Sequence, residues 1–161
     1  MLLEASCHCG SVEYSVESRY PQPFMRCYRS NCRNTGGSGG YGINLSANAK
    51  SLQVNVREHT RIYRAAREVD GVQTLSGNER HFCSLCGSHL WAYNSKWPDL
   101  LHPVAGCVDT PLPKPESYVH IMLGSKADWV EAFGCEGDPR FDQYPDVSLA
   151  QWHEIHNVAV D

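Results

Sequence analysis

Cys83-Ser84-Leu85-Cys86-Gly87 places two thiols on a tight turn that ends in glycine, and Cys7-His8-Cys9-Gly10 does the same at a shorter spacing. Glycine permits positive φ, so backbone N–H groups can turn toward the sulfurs. Two such turns facing each other supply four sulfurs, a tetrahedral set for Zn²⁺. A disulfide within Cys7–Cys9 is disfavoured, because a bridge needs Cα atoms about 4.4–6.8 Å apart with specific dihedrals. The alternative is four free or buried thiols. An ion closed in by Cys7, Cys9, Cys83 and Cys86 has no open position for substrate, so its expected role is structural.

The rest of the composition agrees with a folded protein. The chain has 161 residues, 42% apolar and 20% charged, enough for one domain over 1–161 with a real core. Its formal net charge is −4 and its cations are scattered, which argues against a nucleic-acid partner. No apolar run approaches the roughly 20 residues of a membrane span. The opening Met1-Leu2-Leu3-Glu4 is too short and acidic for a secretion signal. Eight cysteines without such a signal point to metal or catalytic thiols in a reducing, cytoplasmic setting.

Patterning outward from the cysteine turns is mainly β. Val12, Tyr14 and Val16 alternate with polar residues, a half-buried strand. Leu52, Val54 and Val56 alternate again, and Thr60 to Ala65 is expected as their hairpin partner. Leu90 to Tyr93, Val104 to Val108 and Ser117 to Leu123 also read as β. Ser148-Leu149-Ala150-Gln151 fits a capping box and opens the only expected helix, a surface one. Gly36 to Gly42 reads as a flexible loop or as bare backbone beside a pocket. Cys107 and Cys135 are expected to be ordinary buried thiols.

These motifs resemble a known family. The order runs Cys-x-Cys-Gly-x-Val-x-Tyr, a central cysteine cluster followed by Arg, then Arg-x-Phe-Cys-x-x-Cys-Gly-Ser-x-Leu-Trp. It is similar to the glutathione-dependent formaldehyde-activating enzyme family, which includes centromere protein V, and in particular to compact fungal-type members. The resemblance implies a zinc-stapled antiparallel β-tent, here with a short C-terminal helix. It implies a structural zinc on Cys7, Cys9, Cys83 and Cys86. It also implies a second, reactive zinc on Cys-x-Cys-x-x-Cys, and those positions here read Cys27, Arg29 and Cys32.

Arginine offers donors only and cannot ligate zinc. A guanidinium about 4 Å from a bare dication is repelled by about 8 kcal/mol at an effective dielectric of 20. Cys27 and Cys32 are therefore an incomplete second site unless Cys107, His81 or His120 completes it. Without metal, Arg29 is expected either to take the ion's place, holding a carboxylate or phenolate and activating a thiol, or merely to disable the site. Tyr28, Arg33, Tyr41, Asn44, Arg80, His81 and His120 are the polar and aromatic residues expected around it.

Family chemistry makes the expected activity thiol addition to an aldehyde, or its carbon–sulfur lyase reverse. The expected departure is a lyase, isomerase or addition reaction on a carbonyl-bearing or aromatic metabolite. Arg29, Cys27, Cys32, His81 and His120 are the candidate catalytic residues, the two histidines as proton carriers. The expected partner is a small molecule, either a glutathione adduct or an anionic aromatic metabolite. The alternative is a catalytically inactive, zinc-structured binding module.

Overall fold

A computed structural model describes residues 1–115 and 117–156; position 116 and the last five residues of the domain expected over 1–161 lie outside the described residues. In chain order the strands begin with β1 (Leu2–Ser6), β2 (Glu13–Glu17), β3 (Phe24–Cys27), β4 (Gly42–Asn44), β5 (Ala47–Asn48) and β6 (Gln53–Val54). They continue with β7 (Thr60–Tyr63), β8 (Ala66–Val69), β9 (Val72–Leu75), β10 (Asn78–Cys83), β11 (His89–Asn94), β12 (Leu100–Pro103) and β13 (Tyr118–Ile121). The helices are α1 (Ser30–Gly36) and α2 (Leu149–Ile155). The strands build sheets ordered β1-β2-β6, β5-β12-β11-β10-β7 and β13-β3-β4, with β8-β9 as a separate hairpin. The mainly β expectation holds. Every pairing is antiparallel except β3 with β13.

The alternation of β1 and β2 is what buries them. Leu3, Ala5, Tyr14 and Val16 face inward while Glu4, Glu13 and Glu17 stay out. Their inward side packs on Leu90, Trp91, Leu101 and Leu45 of the five-stranded sheet and its neighbour. The Tyr14 hydroxyl donates to the Leu90 carbonyl at 2.9 Å, and its ring meets Trp91 edge-on at 4.8 Å. Burying such a phenol is tolerable because its O–H keeps a partner.

Several expectations need correction. Thr60 onward is no hairpin partner of Leu52–Val56: β6 pairs with β2, and β7 pairs with β10. Alternation gives a strand's faces but not its neighbour. The expected strand over 104–108 is displaced to β12; Ala105–Cys107 is a 3₁₀ turn instead. The Pro103 carbonyl accepts from Leu45 N–H, so pairing does not continue as a regular ladder there.

The C-terminal helix carries its capping box, with Ser148 and Gln151 bonding reciprocally. It is more than a surface element, since His153 is buried and its Nε2 lies 2.7 Å from the Gln22 carbonyl. A second helix, α1, was not expected. It follows Cys27 directly and carries Cys32, and its short polar sequence has no amphipathic stripe to betray it.

The glycine run is a packed corner. Gly40 has φ +92°, and a Cβ there would sit 2.2 Å from a Val130 methyl. A Cβ at Gly37 would sit 2.3 Å from the Tyr41 carbonyl oxygen. Backbone approach, not a bound ligand, explains these two glycines.

Candidate functional site

The first cysteine centre joins two hairpin-like turns. Cys7 to Gly10 links β1 to β2, and Cys83 to Gly87 links β10 to β11. Gly10 and Gly87 have φ of +72° and +76°, and their amides close each turn onto the carbonyls of Cys7 and Cys83. The four sulfurs all lie within 4.8 Å of one another, with Cys7–Cys9 at 3.5 Å and Cys9–Cys83 at 3.8 Å. Four sulfurs about 2.3 Å from a central Zn²⁺ stand about 3.8 Å apart, so the donor set fits.

Further contacts suit thiolates at this centre. Val12 N–H donates to Cys7 Sγ at 3.2 Å, and Ser11 and Ser88 hydroxyls lie 3.4 and 3.3 Å from Cys9 and Cys86. Hydrogen bonds with Ser88 and with the Cys9 amide hold the Cys86 thiol down to about 5. Hydrogen bonds with Ser11 lower Cys9 as well. Burial pushes Cys7 up to about 11, the opposing tendency that a cation would reverse.

The second cysteine region lies where β3 ends and α1 begins. Cys27 is buried at the last position of β3, and Cys32 sits in the first turns of α1, partly exposed. No third ligand joins them. Among the described residues the one cluster of His, Cys, Asp or Glu able to hold an ion is Cys7, Cys9, Cys83 and Cys86. The side chains considered as a third ligand are engaged elsewhere. Cys107 donates to the His89 carbonyl at 3.0 Å. His120 is fully buried, its Nδ1 2.8 Å from the Tyr28 hydroxyl and its Nε2 3.3 Å from Asp138. A second zinc therefore does not fit this pair.

Arg29 does not lie between the thiols. Its side chain is exposed and donates to the Tyr144 hydroxyl at 3.2 Å. The guanidinium at the thiols belongs to Arg80, only 4% exposed, whose Nη2 stands 3.7 Å from Cys32 Sγ. The Cys27 hydrogen bond, the Arg80 cation and the Asn44 amide hold Cys32 down to about 6 against the effect of burial. Cys27 moves the other way: its hydrogen bond to Cys32 and its burial push it well above the ordinary thiol range, outweighing Arg29. The Arg80 guanidinium thus favours the charge on Cys32 over Cys27.

Arg80 also faces a cavity of about 250 Å³, walled by Thr35, Tyr63, Phe82, Gly87 and His89. Sheet register builds this wall. Tyr63 on β7 stands opposite Arg80, and a bulge between His81 and Phe82 passes over Leu90 to set His89 opposite Phe82. Opposed residues share a face, so the bulge turns His89 toward the Arg80 side. The same register sends His81 to the other face, where its ring stacks on Trp91 at 4.8 Å and its Nε2 lies 3.2 Å from Glu79. That face lines a separate groove with Leu52, Tyr93 and Pro98.

Among the described residues, three polar atoms of the cavity's lining side chains are buried without a partner: Arg80 Nε, Arg80 Nη1 and His89 Nε2. Each such group costs about 1–3 kcal/mol. Burial, and then the Arg80 charge, pull the His89 imidazole down to about 4, which leaves it neutral. Sequence reading placed Arg80 near the site without a role, and it missed His89. The signal for His89 is a bulge, which no periodicity reveals. Neither remaining cysteine is the fully buried thiol expected: Cys107 is half-buried and pushed up to about 11, chiefly by burial, and Cys135 is exposed.

His120 belongs to a closed relay. Asp138 accepts from the amides of Tyr118 and Cys135 at 3.0 and 2.7 Å, and from His120. With His120 Nε2–H donating to Asp138, Nδ1 accepts from the Tyr28 hydroxyl, so both ring nitrogens are used inside the protein. Burial lowers the His120 pKa further, which disfavours its cation.

Comparison with known proteins gives the family. The profile of the glutathione-dependent formaldehyde-activating enzymes matches residues 2–124. A bacterial protein of Halomonas elongata, named "Putative glutathione-dependent formaldehyde-activating enzyme", is 54% identical over 153 residues, 95% of each chain. A crystal structure of a Rhodobacter sphaeroides protein is 23% identical with a TM-score of 0.49, covering 68% of this chain and 91% of that one. Among the described residues no helix is long and apolar enough to cross a membrane. From its sequence match over most of its length, the chain belongs to the glutathione-dependent formaldehyde-activating enzyme family.

Proposed function

We propose that the protein is a small-molecule enzyme that adds a thiol to a carbonyl carbon, or runs the carbon–sulfur cleavage in reverse, at Cys32. The observation that carries this is the Cys32–Arg80 contact at the edge of a cavity. Arg80 favours the Cys32 thiolate, and Cys27 remains the protonated neighbour. The thiolate takes the proton of an incoming thiol such as glutathione. The freed sulfur forms a bond to the carbonyl carbon, and the C=O π pair moves onto oxygen. That oxygen then takes the proton back from Cys32, giving a hemithioacetal with every atom and charge accounted for.

The zinc held by Cys7, Cys9, Cys83 and Cys86 would supply folding stability and no step of this chemistry. His81 and His120 are not carriers in this scheme, since one faces the other side of β10 and the other is enclosed. Free thiols of this kind suit a reducing cytoplasm. The test is exchange NMR on a thiol and an aldehyde, with glutathione and formaldehyde as the first pair. Interconversion at least tenfold faster than the uncatalysed rate is expected, and it should be lost in Cys32→Ser with zinc content unchanged. Equal rates with and without protein, for small aldehydes and oxo acids alike, would overturn the reading in favour of a binding module.

A further inference from the structure

We infer that the cavity lined by Arg80, the residue that touches Cys32, is a carboxylate subsite, and that the carbonyl substrate is a short 2-oxo acid rather than a neutral aldehyde. This deepens the proposed thiol–carbonyl chemistry and rests on it. Arg80 is the residue that decides it. A guanidinium has five N–H donors and no acceptor. In this protein one nitrogen reaches the Cys32 sulfur, while Nε and Nη1 are buried and meet nothing. One thiolate answers the charge of Arg80 but leaves most of its donors idle. An anionic oxygen ligand is the chemistry that such donors recognise, and planar carboxylates suit a guanidinium best.

The surroundings narrow the class. His89 adds a second buried and unpartnered nitrogen, Nε2, to the same wall. The end of α1 lies beside that ring, since a Cβ added at Gly36 would sit 3.2 Å from His89 Nδ1. Phe82 and Tyr63 give the cavity apolar flanks, and its volume of about 250 Å³ falls below the range of drug-sized pockets. A ligand of a few heavy atoms fits there, while a tripeptide thiol must lie largely outside. Because Arg80 touches Cys32 and the cavity at once, a carboxylate on its free donors brings the adjacent carbon toward the sulfur. In a 2-oxo acid that carbon is the carbonyl. Formaldehyde would leave Arg80 Nε and Nη1 as they are.

The experiment uses oxamate, an unreactive mimic of a 2-oxo acid, and its neutral counterpart oxamide, titrated calorimetrically into the zinc-loaded protein. Oxamate is expected to bind at least tenfold more tightly than oxamide and to slow iodoacetamide labelling of Cys32. Arg80→Gln is expected to weaken oxamate at least tenfold and His89→Gln about threefold. Oxamide binding as well as oxamate, or Arg80→Gln leaving oxamate affinity unchanged, would overturn the subsite. Should Arg80→Gln fail to fold, the oxamate-to-oxamide ratio on the unaltered protein decides alone. Oxamate selectivity without turnover of any thiol–carbonyl pair would sink the catalytic reading and leave the subsite standing. Turnover of formaldehyde without carboxylate selectivity would do the reverse.

Discussion

Two cysteine regions of this molecule start from the same side chain and end in opposite chemistry. At Cys7, Cys9, Cys83 and Cys86, two glycine turns bring four sulfurs within 4.8 Å, and their contacts among the described residues are hydroxyls, an amide and each other. At Cys27 and Cys32 there are two sulfurs, and the third contact is a guanidinium. Four thiolates need a dication to offset their mutual repulsion. Two thiols beside an arginine need only share one proton. On the function proposed above, the neighbours, not the cysteines, decide which region is a staple and which is reactive.

The sharpest way to break the comparison is to remove one ligand of the staple. Structural zinc contributes about 10–16 kcal/mol in small metal domains, against a net stability of about 5–15 kcal/mol. Cys86→Ser is therefore expected to yield unfolded or insoluble protein, followed by circular dichroism and elemental analysis. Soluble protein with an unchanged melting temperature and zinc content would contradict it. The second region should answer to packing instead. Gly40→Ala puts a methyl into Val130 at a left-handed φ, close to the strand that leads back past Cys32. A loss of about 2–4 kcal/mol is expected with zinc content intact, measured by urea unfolding.

Metal content can also be moved from the other side. Arg29→Cys replaces an exposed cation by a thiol at the family's middle ligand position, and zinc is expected to rise from one to two per chain. A ratio that stays at one would show that position 29 cannot reach the pair. The smallest effect belongs to Tyr144→Phe, which deletes the Arg29 partner at the surface. A change within about 0.5 kcal/mol is expected on stability, and no change in Cys32 labelling. A large drop in labelling would return Arg29 to the site.

The staple was legible in the sequence because turn chemistry is local: a thiol spacing and a following glycine are enough to draw it. The strands β2, β11 and β13 were legible in the sequence, whereas β1 and β10 were not expected, β10 because its burial does not alternate. Strand partners were not, since Thr60 to Tyr63 carries nothing that says β10 rather than β6. The reactive region was half legible. Arg29 stands where the family resemblance led us to expect a ligand, but which arginine stands at the thiols is a matter of register between distant strands. Arg80 reaches Cys32 from β10, and His89 arrives there only through a bulge. His81 and His120 show the same limit from the other direction. Their side-chain chemistry suited a proton carrier, while the structure stacks His81 on Trp91 on the opposite face of β10 and encloses His120 between Tyr28 and Asp138.

The most direct test of the contrast between the two regions is one sample read twice: zinc per chain by elemental analysis, and the sites of brief iodoacetamide labelling by peptide mass spectrometry. The account predicts one zinc, with Cys32 labelled and Cys7, Cys9, Cys83 and Cys86 protected until the metal is chelated. Two zinc ions per chain, with Cys32 protected until chelation, would contradict it.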